Sequence, residues 1–348
     1  MSRRLTIYEV ADAAGVSIAS VSRVMHGRGG VSEETRERVE REIERSGYVV
    51  NGAARGLAQR RLGVLGFVFC DLDENAPGSD AVTSFYSHEV VRGAERAARR
   101  VGDAVLLAAT HSASERRRVL ALAAKVDGLA VMAGSLPAAE LQRLATRVPV
   151  VSFAAVRPPA ALDSVRVENV EGALAATRHL LEHGYADVAF VGGPARSAES
   201  RARFNGYRRA LAEAGIAPPA APQLRGDFTE GGAERAVEQL LRGRPQPRAP
   251  RALVVGNDQM AVGAIAALQR HGLRVPDDVA LTGFDDIPLA RHVHPALTTV
   301  RQPLREIGEQ CARLLLRRVE QPDADRAAVV LPTRLVLRAS CGCTEAAA

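Results

Sequence analysis

From residue 62 onward, short apolar runs alternate with amphipathic stretches of helical period, and this alternation limits the possible folds more than any other feature. "LGVLGFVF" is the continuous apolar run that a strand buried on both faces requires. A helix over residues 87–101 follows, then the strand "AVLLAAT", a helix near residues 114–124 and the strand "GLAVMAG". Further strands are "VPVVSF", "DSVRV", "DVAFVGG", "ALVVGND" and "VALTGFDD", separated by helical stretches such as "NVEGALAATRHLLEHG" and "QMAVGAIAALQRHG". Parallel neighbours are reached only through crossover helices, so the pattern predicts doubly wound parallel sheets. About ten strands are more than one small sheet holds, and two lobes are expected. At 348 residues and 47% hydrophobic, the chain can bury cores of that size.

The first sixty residues read differently. In "TIYEVADAAG", Ile7, Val10 and Ala14 share a helical face, and Thr6 with Glu9 forms a capping box. Gly15 ends that helix, since glycine enters the left-handed conformation cheaply. Ser17 caps a second helix whose Val21 and Val24 point inward. Two helices across so tight a turn form a helix-turn-helix, in which the first braces the second. A buried helical hairpin would not need the outer face found here, Ile18, Ala19, Ser20, Ser22 and Arg23. Small side chains allow close approach, serines suit phosphates, and an arginine can donate two hydrogen bonds to a guanine edge. A third, bracing helix runs through "SEETRERVEREIERSGY", capped by Ser32 and stopped by Gly47.

Composition narrows the classes. The formal charge of +6 suits a polyanionic partner without requiring one, and the arginine excess over the single lysine, Lys125, reads as genome base composition. No apolar run approaches the roughly 20 residues of a membrane span, and the start carries no apolar signal core. A soluble, cytoplasmic protein is expected. Cys341 and Cys343 have no second Cys/His pair at metal spacing in the sequence, so they read as tail residues and no metal is expected. No G-x-G-x-x-G follows the first strand, and a phosphate loop ending in lysine cannot form around Lys125, so no nucleotide cofactor is expected. His88, His179, His183 and His271 lie in or at the ends of helices without a nucleophile beside them. They read as surface groups, and no catalytic residue is expected.

The stretch "TIYEVADAAGVSIASVSRVMHGRGGVSEETRERV…GYVVNGAARGL" resembles the DNA-binding headpiece of the lactose/galactose repressor family of bacterial transcription factors, without a gap over residues 6–57. The resemblance continues through "ENVEGALAATRHLLEHGYADVAFVGGP", "RFNGYRRAL", "GNDQMAVGA", "GLRVPDDVALTGFDD" and "HPALTTVRQP", which are similar to the family's effector-binding core. It implies an α helix-turn-helix headpiece plus an α/β two-lobed, periplasmic-binding-protein-like core of two doubly wound parallel sheets. The headpiece would span residues 1–50, a hinge helix or linker 51–61, one lobe 62–162 and 292–326, the other 163–291 and 327–340, and a tail 341–348. The chain would cross between lobes near residues 161–163 and 291–294, and "LPTRLVLRASCGC" would return a last strand to the second lobe.

For the sites, the resemblance implies that Ile18, Ala19 and Arg23 read bases and that Leu57 is a wedge in the minor groove. The residues expected on DNA are Thr6, Ser17, Ile18, Ala19, Ser20, Ser22, Arg23, Asn51, Arg55 and Leu57. Those expected on the effector are Phe85, Tyr86, Arg203, Phe228, Asn257 and Asp285, which stand at or near the carboxyl ends of strands, where open α/β sheets bind ligands. Carboxylates, an amide, an arginine and aromatic rings suit a polyhydroxylated ligand. Three departures stand out: Gly52 and Gly56 in the hinge, Ala154-Ala155 where the family commonly has an acidic residue, and the long loop "CDLDENAPGSDAVTSFY". The expected partners are a palindromic operator duplex, a small-molecule effector of carbohydrate type and a second copy of the chain. A secreted sugar-binding protein would share the core but lack the headpiece.

Overall fold

The computed structural model describes residues 6–25, 29–48, 61–70, 79–110, 116–242 and 250–343. It divides into two compact units, Met1–Gly63 and Val64–Ala348.

The first unit is helical: α1 (Ile7–Ala14), α2 (Ile18–Met25) and α3 (Glu33–Ser46). Both arms of the capping box form, the Thr6 hydroxyl accepting from the Glu9 amide and the Glu9 carboxylate accepting from the Thr6 amide at 2.7 Å. Gly15 takes φ 64° and donates its N–H to the carbonyls of Ala11 and Asp12, closing α1. The Ser17 hydroxyl accepts the Ser20 amide at 3.1 Å, and α2 starts at the next residue. Val10, Ala11, Ala14, Val21, Val24 and Val39 are buried together, with Ile7, Ile43 and Tyr48 against them. A core this small is sufficient only because each helix is capped at its start.

The second unit runs β1 (Val64–Cys70), α4 (Ser79–Arg99), β2 (Ala104–Thr110), α5 (Arg116–Ala123), β3 (Gly128–Met132), α6 (Ala138–Ala145), β4 (Val150–Phe153) and β5 (Asp163–Val167). It continues with α7 (Asn169–Glu182), β6 (Val188–Gly192), α8 (Ala198–Glu213), β7 (Leu224–Arg225), α9 (Glu230–Arg242), β8 (Ala252–Val255), α10 (Asp258–Arg270) and β9 (Ala280–Asp285). The last elements are β10 (Thr298–Arg301), α11 (Leu304–Glu320), β11 (Ala328–Leu331) and β12 (Arg334–Val336). Two six-stranded sheets result, in the orders β11-β5-β4-β3-β1-β2 and β12-β10-β9-β8-β6-β7. Every pairing is parallel except that of β12 with β10. Two doubly wound, mostly parallel sheets are therefore present, each defining a lobe.

The sheets correct the expected lobe boundaries. β5, expected in the second lobe, pairs with β4 in the first, so the chain crosses after Val167 and not near residues 161–163. β10, expected in the first lobe, extends the second sheet beside β9, which moves the return crossing from residues 291–294 to just past Arg301. β11 belongs to the first sheet, so only β12 returns to the second. Each misplaced strand has the same local pattern in either sheet, and only its hydrogen-bonding partner distinguishes the two.

One ion pair holds the far end of the first lobe. The Arg318 guanidinium donates twice to the Asp163 carboxylate at 3.0 Å, with both side chains buried, and once to the Asp325 carbonyl at 3.2 Å. Asp163 also accepts the Ala327 amide at 2.8 Å, so β5, α11 and the approach to β11 meet on one carboxylate. α4 and α11 cross closely at two glycines. A Cβ on Gly308 would lie 1.8 Å from the Val90 carbonyl oxygen, and one on Gly93 equally close to that of Arg305. Backbone sits opposite both glycines, so no side chain can rotate away. Gly308→Ala is expected to lower the stability of the first lobe by about 3 kcal/mol, the upper end of overpacking costs, read as an earlier urea midpoint at unchanged slope.

Candidate functional site

Two surfaces collect the residues that the sequence singled out. On the first unit, Ile18, Ala19 and Arg23 are exposed along α2, with Ser20 and Ser22 half-buried beside them. Their inward neighbours Val21 and Val24 fix the roll of the helix, so the outer face follows from the core. Among the described residues, the Arg23 guanidinium donates to the Gly30 carbonyl at 3.5 Å. The Thr6 and Ser17 hydroxyls are engaged in capping. Asn51, Arg55 and Leu57 lie outside the described residues, as do Gly52 and Gly56.

The second surface lies at the carboxyl ends of the strands. Among the described residues, the non-glycine positions with positive φ are Ala154, Phe228, Asp285 and Asp286. Each ends or closely follows a strand: β4, β7 or β9. Such backbone costs of order 1 kcal/mol or more per residue and gathers where a site needs a particular side-chain direction. Ala154 sits at φ 59° and is buried, so the position where an acidic residue would be common in the family offers only a methyl group.

Arg203, on α8, is at the centre. Its Nε donates to the Asn169 side chain at 2.8 Å and its Nη1 to the Gly256 carbonyl at 2.5 Å. Nη1 lies 3.6 Å from Asp285 Oδ1, Nη2 lies 3.9 Å from Glu199 Oε1, and the guanidinium stacks 3.9 Å from the Phe284 ring centre. Asp285 accepts a further hydrogen bond from Gln302 at 2.6 Å and caps no helix. Glu199 Oε1 and Gln302 Oε1 are buried with no hydrogen-bond partner among the described residues.

The other expected members divide. Asn257 is the N-cap of α10, accepting the Met260 amide at 3.0 Å and donating to the Phe228 carbonyl at 3.1 Å, so much of its capacity is structural. The Phe228 ring covers Gly193 so closely that a Cβ there would lie 2.3 Å from it. Phe85 and Tyr86 are both half-buried on α4, and Tyr86 packs on the first-lobe core. Its phenol nevertheless has its pKa raised well above the ordinary value, by burial first and then by the negative charges of Glu199 and Asp285 in the other lobe. Asp286, next to Asp285, is fully committed to structure, held at 2.5 Å by both Arg301 and Arg338.

One guanidinium faces two carboxyls, and all three groups are buried. Burial raises Glu199 to about 7 against the pull of Arg203, with the charge of Asp285 adding to the rise. Asp285 rises to about 6, again by burial, against Arg203 and Gln302. Asp258 rises to about 8 by burial and the charge of Asp285, although Thr299 and the Ile287 amide donate to it. Two carboxyls whose burial holds protons near neutrality, beside a fixed cation, can donate and accept hydrogen bonds to a polyhydroxylated molecule.

Sequence reading missed Glu199, Gln302, Asn169 and Phe284. Glu199 stands four residues before Arg203 on the same helix, a spacing that should have suggested the pair. Asn169 and Gln302 follow β5 and β10, whose sheets were misassigned. The expectation for His179 and His183 also needs correcting, because both meet Cys343: ligand atoms of the three lie within 4.8 Å of one another. They are 160 residues or more apart along the chain, beyond any local spacing rule.

Residues 6–51 match the family of bacterial regulatory proteins named lacI, and residues 177–341 match a periplasmic binding protein-like domain. Catabolite control protein A of Priestia megaterium is 33% identical over 341 residues, covering 97% of this chain and 99% of that one. The chain belongs to the lacI family. LacI-family members are transcription regulators, and the first unit is the family's DNA-binding headpiece. The lac repressor dimer bound to operator and the anti-inducer ONPF aligns with TM-score 0.81 and 27% identity, over 97% of this chain and 99% of that one. The complex of the transcriptional regulator CelR with cellobiose aligns with TM-score 0.71 and 32% identity, over 97% and 100%. No helix among the described residues is long and apolar enough to cross a membrane.

The raised acids predict a pH dependence. The folded lacI-family core keeps protons on Glu199, Asp285 and Asp258 that the unfolded chain releases, so stability is expected to fall as pH rises from about 4 to about 8, with the Glu199 share falling between about 4.5 and about 7. Glu199→Gln, neutral throughout, should make that slope shallower, leaving the share of Asp285 and Asp258, and unfold at a higher temperature than wild type above pH 7. Calorimetric melts across the window measure both.

Proposed function

We propose that the chain is a transcriptional repressor that grips a palindromic operator as a homodimer and is controlled by a carbohydrate-like effector held between the two lobes. The observation that carries the effector half is the Arg203 cluster beside the carboxyl end of β9: a buried cation, two carboxyls with proton affinity near neutrality, and two buried polar oxygens without a hydrogen-bond partner among the described residues. Aromatic rings at Phe228 and Tyr86 supply apolar faces for ring C–H groups. The cellobiose in the CelR structure supports a sugar. Effector and operator favour different lobe arrangements, so each changes the affinity for the other by the same coupling energy.

For the operator half, Ile18, Ala19 and Arg23 meet base edges, while Thr6, Ser17, Ser20 and Ser22 lie along the backbone. Asn51, Arg55 and Leu57 form the hinge contact, with Leu57 opening the central step. The dimer is supported by an apolar flank at the first lobe's open edge, where Leu107 of the edge strand β2, Val101 and Leu120 are exposed by 54%, 49% and 48%. The protein works in the cytoplasm, on the chromosome. Gel shifts on genomic fragments, repeated against a panel of mono- and disaccharides, test both halves. Fragment binding that no sugar alters would overturn the effector assignment.

Arg23→Ala is expected to reduce the preference for operator over scrambled DNA by roughly ten- to hundredfold, since a bidentate base contact is worth about 1–3 kcal/mol. Retention of the wild-type ratio in competition gel shifts would refute the contact. Asp285→Ala and Arg203→Ala are expected to weaken effector binding by roughly ten- to hundredfold, from about 1.5–3 kcal/mol per charged hydrogen bond, while operator binding persists. Calorimetric titration with the active sugar reads the first effect. A melting curve separates a lost contact from a damaged second lobe.

A further inference from the structure

At the far end of the second lobe, α7 carries His179, and His183, four residues on, is its C-cap, one helical turn away on the same side. The chain returns to that face at Ala339–Cys341, a single 3-10 turn closed by Gly342 at φ 93°. The turn brings Cys343 Sγ to 3.3 Å from His183 Nε2 and 3.5 Å from His179 Nε2, and Cys341 Sγ to 3.2 Å from His179 Nε2. The two imidazoles lie 4.6 Å apart at 66° to one another.

Hydrogen bonding alone accounts poorly for this convergence. A cysteine has one S–H proton, yet Cys343 faces two Nε2 atoms, and His179 Nε2 faces two sulfurs. Metal geometry accounts for it better. With Zn–N near about 2.0 Å and Zn–S near about 2.3 Å, tetrahedral coordination separates N from S by about 3.5 Å. The surroundings hold the ligands in place: Cys341 is fully buried and accepts from Thr298 Oγ1 at 3.0 Å, and the Tyr185 ring stacks parallel to His183. A Cβ on Gly342 would meet the Tyr185 hydroxyl at 2.9 Å, so the sharp turn between the cysteines is tied to that ring.

We propose that His179 Nε2, His183 Nε2 and Cys343 Sγ bind one zinc ion, stapling the segment after β12 to the end of α7. Each thiol that coordinates releases its proton to solvent, and no oxidation state changes. Three protein ligands leave the fourth tetrahedral position to water, and Cys341 Sγ, 3.2 Å from His179 Nε2, lies beside the site.

The test uses the full chain without a histidine tag, reduced by a phosphine, and titrated with Co²⁺. The expected result is a thiolate-to-cobalt charge-transfer band saturating at one metal per chain and erased by Zn²⁺. Cys343→Ser and His183→Ala should each weaken binding by roughly a hundredfold while still binding operator, which verifies folding without reference to the metal. Zinc should raise the melting temperature of wild type and of neither variant. Absence of the charge-transfer band, equal metal affinity in the variants, or a Cys341–Cys343 disulfide that persists under this reduction would each overturn the proposal.

Discussion

Because parallel strands run one way, each sheet of the core gathers their carboxyl ends along one edge, and the rest of the second unit follows from that. Sheet polarity gives each lobe one edge rich in loops, and three crossings, after Val167, after Arg301 and between Leu331 and Arg334, join the lobes. Two of those crossings deliver site residues directly: Asn169 follows the first and Gln302 opens the second. The connections between the lobes and the polar residues around Arg203 are therefore partly the same short segments.

The buried cluster sets one cation and two carboxyls at such an edge. Arg203 is fixed by a carbonyl and an amide before any carboxyl reaches it, and its contacts with Asp285 and Glu199 are longer than direct hydrogen bonds. A charge held this way is poorly neutralised by its own protein. In a low-dielectric interior the cheapest responses are proton retention by the neighbouring acids and hydrogen bonds to a polar guest. Asp163 and Arg318 are the contrasting case, a buried pair with close two-point geometry and every polar neighbour engaged. The same residue types are structural in one place and chemically open in the other because of distance and geometry.

The headpiece and the core differ in how far local sequence determines them. In the headpiece, caps at Thr6, Ser17 and Ser32 and left-handed stops at Gly15 and Gly47 all lie within a few residues of the helices they govern, and all form as their spacing implies. With the valines inward, Ile18, Ala19 and Arg23 can only face out. In the core most strands and helices were likewise legible, because burial on two faces leaves an unbroken apolar run and burial on one leaves a 3.6-residue period, but α4 begins at Ser79, inside the stretch read as a loop through Tyr86.

Local chemistry thus determined the elements, the helix-turn-helix, the division into a helical unit and a two-lobed α/β unit, and the family. Tertiary structure alone decided which sheet Asp163–Val167, Thr298–Arg301 and Ala328–Leu331 join, since a strand's pattern records how deeply it is buried and not which neighbour it bonds. Tertiary structure also decided that Glu199 and Gln302 border the Arg203 site, that Asn257 is mostly a cap, and that Cys343 meets two histidines of a helix distant in sequence. Those facts depend on distances between residues far apart along the chain, which the close packing of whole lobes sets and no local pattern encodes.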